Sequence, residues 1–282
     1  MATISDYLRL IVIEHILPPL MAFFVGFVFS SAAISFTPKL FFGVISISLV
    51  FCGYNTFNAV YDKELDKINK PYRPLPKETI SKKHALYLSF VFFLLSASLS
   101  LLINLIFFVI LCIAIFLAII YSHPATHTKK HFLFGTLQAN AMYSILFPLA
   151  GWSVTLSSTV PWFIILFLFI FGMGMALLKD FEDVRGDIEH HIRTMPYVLG
   201  HINGVIFSAL FIVTAALFLG IFIMSGGLAP KYSFIYVFAV AALANLYFLA
   251  KGQSKARSKK AFINGMVILT LMEVALIFLR IA

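Results

Sequence analysis

Nine runs of predominantly apolar residues succeed one another along the chain, at approximately 16–34, 39–61, 84–103, 104–121, 132–155, 161–180, 202–225, 232–250 and 261–281. A bilayer core needs about 20 such residues per helical span. Inside lipid every backbone N–H and C=O must be satisfied within the segment, which leaves helices as the structure these runs can take. Charged residues make up 12% of the chain, about half the roughly 25% usual in soluble domains. The expected fold is therefore an all-α polytopic membrane protein, nine transmembrane helices around a central cavity, built as a single domain over residues 1–282. The third and fourth runs are parted only by Asn104 and its neighbours, which predicts a tight helical hairpin. The start of the chain lacks a small-residue cleavage site after its first apolar run, so the first helix is expected to stay as an uncleaved anchor.

The basic residues orient this bundle. With nine spans, all of the 21 Lys and Arg residues fall on the side of the N-terminus except Lys39, Lys231 and Arg280. Eighteen against three is a strong positive-inside asymmetry and places the N-terminus and the basic loops in the cytoplasm. The net charge of +9 is thereby explained by topology and anionic headgroups or substrates, not by nucleic acid. Cys52 and Cys112 lie within separate apolar runs and are expected to pack as thiols without a disulfide.

Against this background two acidic clusters stand out. Residues 58–66 (NAVYDKELD) close the second apolar run and residues 179–187 (KDFEDVRGD) close the sixth; with Glu189 they hold eight of the twelve acidic residues. Intramembrane carboxylates persist where they meet a cation, a partner or a water-filled cavity. Asn58, Asp62 and Asp66 recur at i, i+4 and i+8, one helical face; Asp183 and Asp187 repeat the step, with Asp180 one turn earlier. Carboxylates at a helix C-terminus oppose the macrodipole, so a row of them calls for a cation. Hard oxygen donors without thiols suit Mg²⁺, which is commonly shared between one or two carboxylates and a phosphate-bearing substrate. The clusters sit four spans apart, at the cytoplasmic ends of helices 2 and 6, which suggests a repeated four-helix unit (roughly 10–121 and 132–250) followed by a ninth helix.

Phosphate-binding groups lie on the same side. Residues 69–77 (NKPYRPLPK) carry Lys70 and Arg73 on a proline-stiffened segment, one a point charge and the other a bidentate donor. Residues 121–131 (YSHPATHTKKH) add Tyr121, Lys129 and Lys130. Their three histidines share no evident helical face, so a metal role is not assigned to them.

NxxxDxxxD followed by NKPYRPLP, with a later KDFEDVRGD and RTMP, resembles the UbiA superfamily of intramembrane prenyltransferases over nearly the whole chain. The resemblance implies Mg²⁺-dependent transfer of a prenyl group from an isoprenyl diphosphate, such as geranyl or geranylgeranyl diphosphate, to a lipophilic acceptor, with release of pyrophosphate. It makes Asp62, Asp66, Asp183 and Asp187 the catalytic residues and these four with Asp180 the metal ligands. Asn58, Lys70, Arg73, Tyr121, Lys129 and Lys179 become diphosphate contacts. The acceptor it suggests is an aromatic quinone-precursor ring or an archaeal glycerol-phosphate lipid. Many members carry an Arg-Pro near the start of the first helix; this chain instead reads Glu14, His15, then Pro18 and Pro19. A membrane transporter of an anionic metabolite is the competing class, but paired acidic clusters repel an anion unless a metal accompanies it.

Overall fold

A computed structural model describes residues 2–31 and 36–282. Among these residues every regular element is helical, with no strand. The first helix, α1 (Ile4–Leu10), is closed by a Thr3–Asp6 capping box and leads through a 3₁₀ turn (Ile13–His15) into α2 (Leu17–Ser31). The two meet at a 46° bend. Residues 32–34 of the first expected span lie outside the described residues.

Polar caps fix where the next helices begin, as the orphan N–H groups of a first turn require. Thr37 accepts from Leu40 N–H at the head of α3 (Pro38–Tyr61), and Ser81 accepts from His84 N–H before α5 (Lys82–Ser100). Between them lies the short α4 (Lys63–Asn69). The expected hairpin forms at Asn104, whose side chain accepts from Phe107 N–H at 2.8 Å to start α6 (Leu105–Ser122). The same amide donates to the Ser153 carbonyl at 2.7 Å, tying the turn to a distant helix.

The fifth apolar run forms one continuous helical stretch made of α7 (Phe134–Ala141), a π-helical turn (Met142–Leu146) and α8 (Phe147–Thr155). Its irregularity has a local cause: the ring of Pro148 crowds the carbonyl four residues back, Ser144, inside the π turn. The sixth run departs from a single span. It bends by 44° between α9 (Trp162–Ala176) and α10 (Leu178–Glu189), so the second acidic cluster occupies a helix of its own. A short α11 (Met195–Leu199) precedes α12 (His201–Met224), α13 (Tyr236–Ala250) and α14 (Lys255–Ile281).

Among the described residues six helices are individually long and apolar enough to cross a membrane, and the two bent pairs bring the number to as many as eight. Two large apolar cores run through the bundle, beside a smaller one around Leu10, Val60 and Leu75. One gathers α9, α12, α13 and α14 around Phe167, Phe171 and Leu246; the other gathers α2, α3, α6 and α8 around Phe23, Phe107 and Phe147. The helix α3 is 61% enclosed along its apolar stretch, whereas α12 and α14 are 22% enclosed and turn most of their apolar surface outward, as lipid-facing helices do. At the α2–α8 crossing, Gly26 lies against the Pro148 carbonyl and Gly151 against the Phe23 carbonyl, leaving no space for a Cβ on either side. Small residues at such crossings let backbones approach closely where no hydrophobic effect drives association.

Candidate active site

The two acidic clusters meet at one end of the bundle. Helix α3 stops at Tyr61, and Asp62 is the junction at which α4 begins; α4 in turn packs on α10. This geometry differs electrostatically from the row of C-terminal carboxylates expected from the spacing. Asp66 and Asp180 sit in the first turns of α4 and α10, where the macrodipole favours a carboxylate, and not at C-terminal ends. The break at Asp62 also ends the expected single stripe of Asn58, Asp62 and Asp66.

A cavity of about 40 Å³ lies between the clusters and is lined among others by Asn58, Asp62, Tyr121, Lys129, Lys179, Asp180, Asp183 and Asp187. All eight are site residues expected from the sequence. The remaining three expected residues, Asp66, Lys70 and Arg73, flank it through ion pairs. Lys70 Nζ donates to both oxygens of Asp183, at 2.7 and 2.8 Å, and Arg73 donates to Asp66 at 2.8 Å. Lys129 pairs with Asp62. The carboxylates and ammonium groups of these pairs are buried. Burial pushes the Asp66 carboxyl above its ordinary value, with Arg73 pulling it the other way.

The other members of the site are held by neutral groups. Asp187 accepts from the Thr194 hydroxyl at 3.0 Å and Asp180 from the Thr136 hydroxyl at 3.4 Å. Neither Asp180 nor Asp187 forms an ion pair among the described residues, and Lys179 there makes no hydrogen bond or ion pair. Asn58 donates to the Ser122 hydroxyl at 3.0 Å. Thr194 falls in the RTMP stretch, Ser122 in the 121–131 stretch and Leu65 in the first acidic cluster, which carried that much of a signal; Thr136 carried none.

Behind the polar cavity stands an aromatic wall. Tyr54 lies 5.7 Å from Tyr121 and 6.1 Å from Tyr143, measured between ring centroids, and Tyr143 continues to Phe51 and Phe147 at 6.4 and 5.6 Å. Glu14 and His15 lie on the 3₁₀ turn before α2, where His15 meets Phe262 of α14 edge to face at 5.2 Å. In the loop after α6, burial and then Lys129 and Lys130 push His127 down to about 4, leaving it uncharged at neutral pH.

The donor set suits Mg²⁺: hard carboxylate oxygens, two of them free of cationic partners. Among the described residues no three Asp, Glu, His or Cys side chains converge closely enough to hold a metal ion by themselves. That arrangement fits an ion held by one or two carboxylates and completed by substrate phosphate oxygens. Asp62, Asp180, Asp183 and Asp187 face the cavity where such an ion would sit, while Asp66 is turned to Arg73.

Known proteins resemble this chain in sequence and in fold. The model of the UbiA prenyltransferase family matches residues 19–271. A digeranylgeranylglyceryl phosphate synthase from Metallosphaera sedula is 30% identical over 274 residues, covering 93% of this chain and 94% of the relative. One from Sulfurisphaera tokodaii is 32% identical over 204 residues, covering 70% and 71%. Among solved structures, a UbiA homolog from Archaeoglobus fulgidus bound to DMAPP and Mg²⁺ superposes with a TM-score of 0.76 at 21% identity, over 98% of this chain and 99% of that one. At that identity the likeness speaks for the fold.

Proposed function

This chain belongs to the UbiA prenyltransferase family, and we propose that it is a Mg²⁺-dependent enzyme transferring a prenyl group from an isoprenyl diphosphate such as geranylgeranyl diphosphate to a lipophilic acceptor, with release of pyrophosphate. The observation that carries this reading is the convergence of both acidic clusters with Lys129, Lys179 and Tyr121 on one cavity. Lys179, which has no hydrogen-bond or ion-pair partner among the described residues, meets the diphosphate first, and Lys70, Arg73 and Lys129 are the cations it competes for. Bound Mg²⁺ supplies charge neutralisation at the diphosphate oxygens, which eases departure of pyrophosphate. The aromatic wall of Tyr54, Tyr121 and Tyr143 keeps water from the allylic carbon as its bond to oxygen breaks, and ring faces stabilise positive charge there.

For the acceptor, the relatives' shared name favours a prenylated glycerol phosphate over an aromatic quinone precursor. Nine spans accord with the six single helices, the two bent pairs and the continuous Phe134–Thr155 helix taken together. The charge asymmetry of the loops then supports a cytoplasmic site, and the four-span separation of the clusters supports a duplicated unit within one domain.

Purified protein given labelled geranylgeranyl diphosphate and Mg²⁺ should form a new product with geranylgeranylglyceryl phosphate and little with homogentisate, read by product mass. Asp62→Ala and Asp183→Ala should abolish it. Retention of transfer in both variants would remove the chemistry from this cavity, and vesicle uptake of the anion without any product would favour transport.

A further inference from the structure

Asn69, the last residue of α4, has no part in the ion pairs, yet it is 2% exposed and makes three hydrogen bonds to two other helices, α10 and α14. Its side-chain amide donates to the carbonyl of Asp183 at 3.0 Å, and its side-chain oxygen accepts from the N–H of Gly186 at 3.0 Å. Both contacts fall within the second acidic cluster, on the backbone of α10. Its own carbonyl accepts from Lys255 Nζ at 2.5 Å. Lys255 stands in the first turn of α14, where a cation opposes the macrodipole, and the bond to Asn69 offsets that position. Gly186 completes the fit: a Cβ there would come within 2.5–2.7 Å of the Asn69 amide.

We propose that Asn69 is a positioning residue, a neutral latch that holds the Lys70–Arg73 segment on the second acidic cluster while the ion pairs change partners. This inference rests on the transferase reading. Lys70 and Arg73, immediately downstream, are docked on Asp183 and Asp66 by charge. A diphosphate competes for both cations and so weakens the contacts that dock their own loop. A diphosphate draws the two cations by charge, whereas the Asn69 amide is neutral and bonded to backbone through both its atoms. The segment thus stays seated on α10 at the moment its charges are redirected to the ligand.

The test uses the purified full-length protein and two measurements: tryptic cleavage after Lys77, and calorimetric binding of inorganic pyrophosphate with Mg²⁺. Cleavage after Lys70 and Arg73 is blocked by the prolines that follow them. Asn69→Ala should be cut about tenfold faster, and bind pyrophosphate about tenfold more weakly, as loss of one to two net hydrogen bonds implies. In turnover the loss should appear in KM for the prenyl diphosphate more than in kcat. Gly186→Ala should reproduce the effect from the opposite side, while Asn69→Ala with Gly186→Ala should be no worse than Asn69→Ala alone, because the obstructing amide is gone. Cleavage no faster than wild type in either single variant overturns the latch, and faster cleavage with unchanged pyrophosphate binding overturns its positioning role. If wild type itself fails to bind pyrophosphate, the transferase reading falls, whereas faster cleavage in the variants still upholds the latch.

Discussion

The Lys70–Asp183 pair separates what holds the site together from what the site does. Both side chains are enclosed, at 9% and 13% exposure, and the ammonium reaches both carboxylate oxygens. Replacing Lys70 by Met strands a carboxylate; replacing Asp183 by Asn strands an ammonium. Breaking one side of a buried pair costs about 3–5 kcal/mol, whereas replacing both partners together is often close to neutral. Each single variant should therefore lose about 3 kcal/mol, near the lower bound because cavity water, and in Asp183→Asn the introduced amide oxygen, give partial compensation. For a chain of this size that is a fall of roughly 6–12 °C in the unfolding midpoint. The combined variant should recover to within about 1 kcal/mol of wild type, a coupling of several kcal/mol between the two positions. Activity should not follow: Lys70→Met removes a proposed diphosphate contact, Asp183→Asn a proposed metal ligand and the combined variant both, so all three should transfer prenyl at least about 100-fold more slowly. The midpoint is read from intrinsic fluorescence in detergent and activity from labelled pyrophosphate release. A combined variant as unstable as the two singles summed would refute the claim that these charges stabilise each other, and an active one would remove them from the reaction.

Three further outcomes follow from particular contacts. Lys179→Ala should leave the unfolding midpoint within a few degrees of wild type, since Lys179 has no hydrogen bond or ion pair among the described residues, while KM for the prenyl diphosphate rises about tenfold or more; an unchanged KM would take it out of the diphosphate site. Chelation with EDTA should stop pyrophosphate release without lowering the midpoint, and Mg²⁺ should restore it, because the unliganded carboxylates are stabilised by lysine, arginine and threonine. Gly151→Val should destabilise by about 3 kcal/mol through overpacking against α2, read as a lower midpoint for heat unfolding; a silent substitution would mean that the α2–α8 crossing is loose.

Much of this was legible in the amino-acid sequence because a bilayer leaves so few choices. Apolar runs at 39–61, 84–103 and 104–121 became α3, α5 and α6 nearly residue for residue, and Asn104 marked its hairpin by being the one strong capping residue between two apolar runs. The bend after Ala176 was not legible, since no proline or charge precedes it in α9. Nor was the break at Asp62, which divides a regular i, i+4, i+8 series without any helix-breaking residue. Beyond it Asp66 pairs with Arg73, while Asp62 lines the cavity. The site residues were readable as types at spacings; their pairing was not, because Lys129 and Asp62, or Lys70 and Asp183, meet only through the tertiary fold. Asn69 shows the same limit: an amide beside a lysine looks like any loop residue until its two backbone partners, more than a hundred positions away, are in place.

The three ion pairs also bear on selectivity. An anion that draws Lys70 away leaves Asp183 charged and buried, and a cation that claims Asp183 leaves Lys70 in the same condition; either exchange alone carries a penalty of several kcal/mol. A ligand bringing both signs together meets no such penalty, because each released group finds a new counter-charge at once. The site is in this sense a coincidence detector. Under the proposed function, free phosphate, abundant in any cell, should be rejected by the same arrangement that would admit a metal-complexed diphosphate.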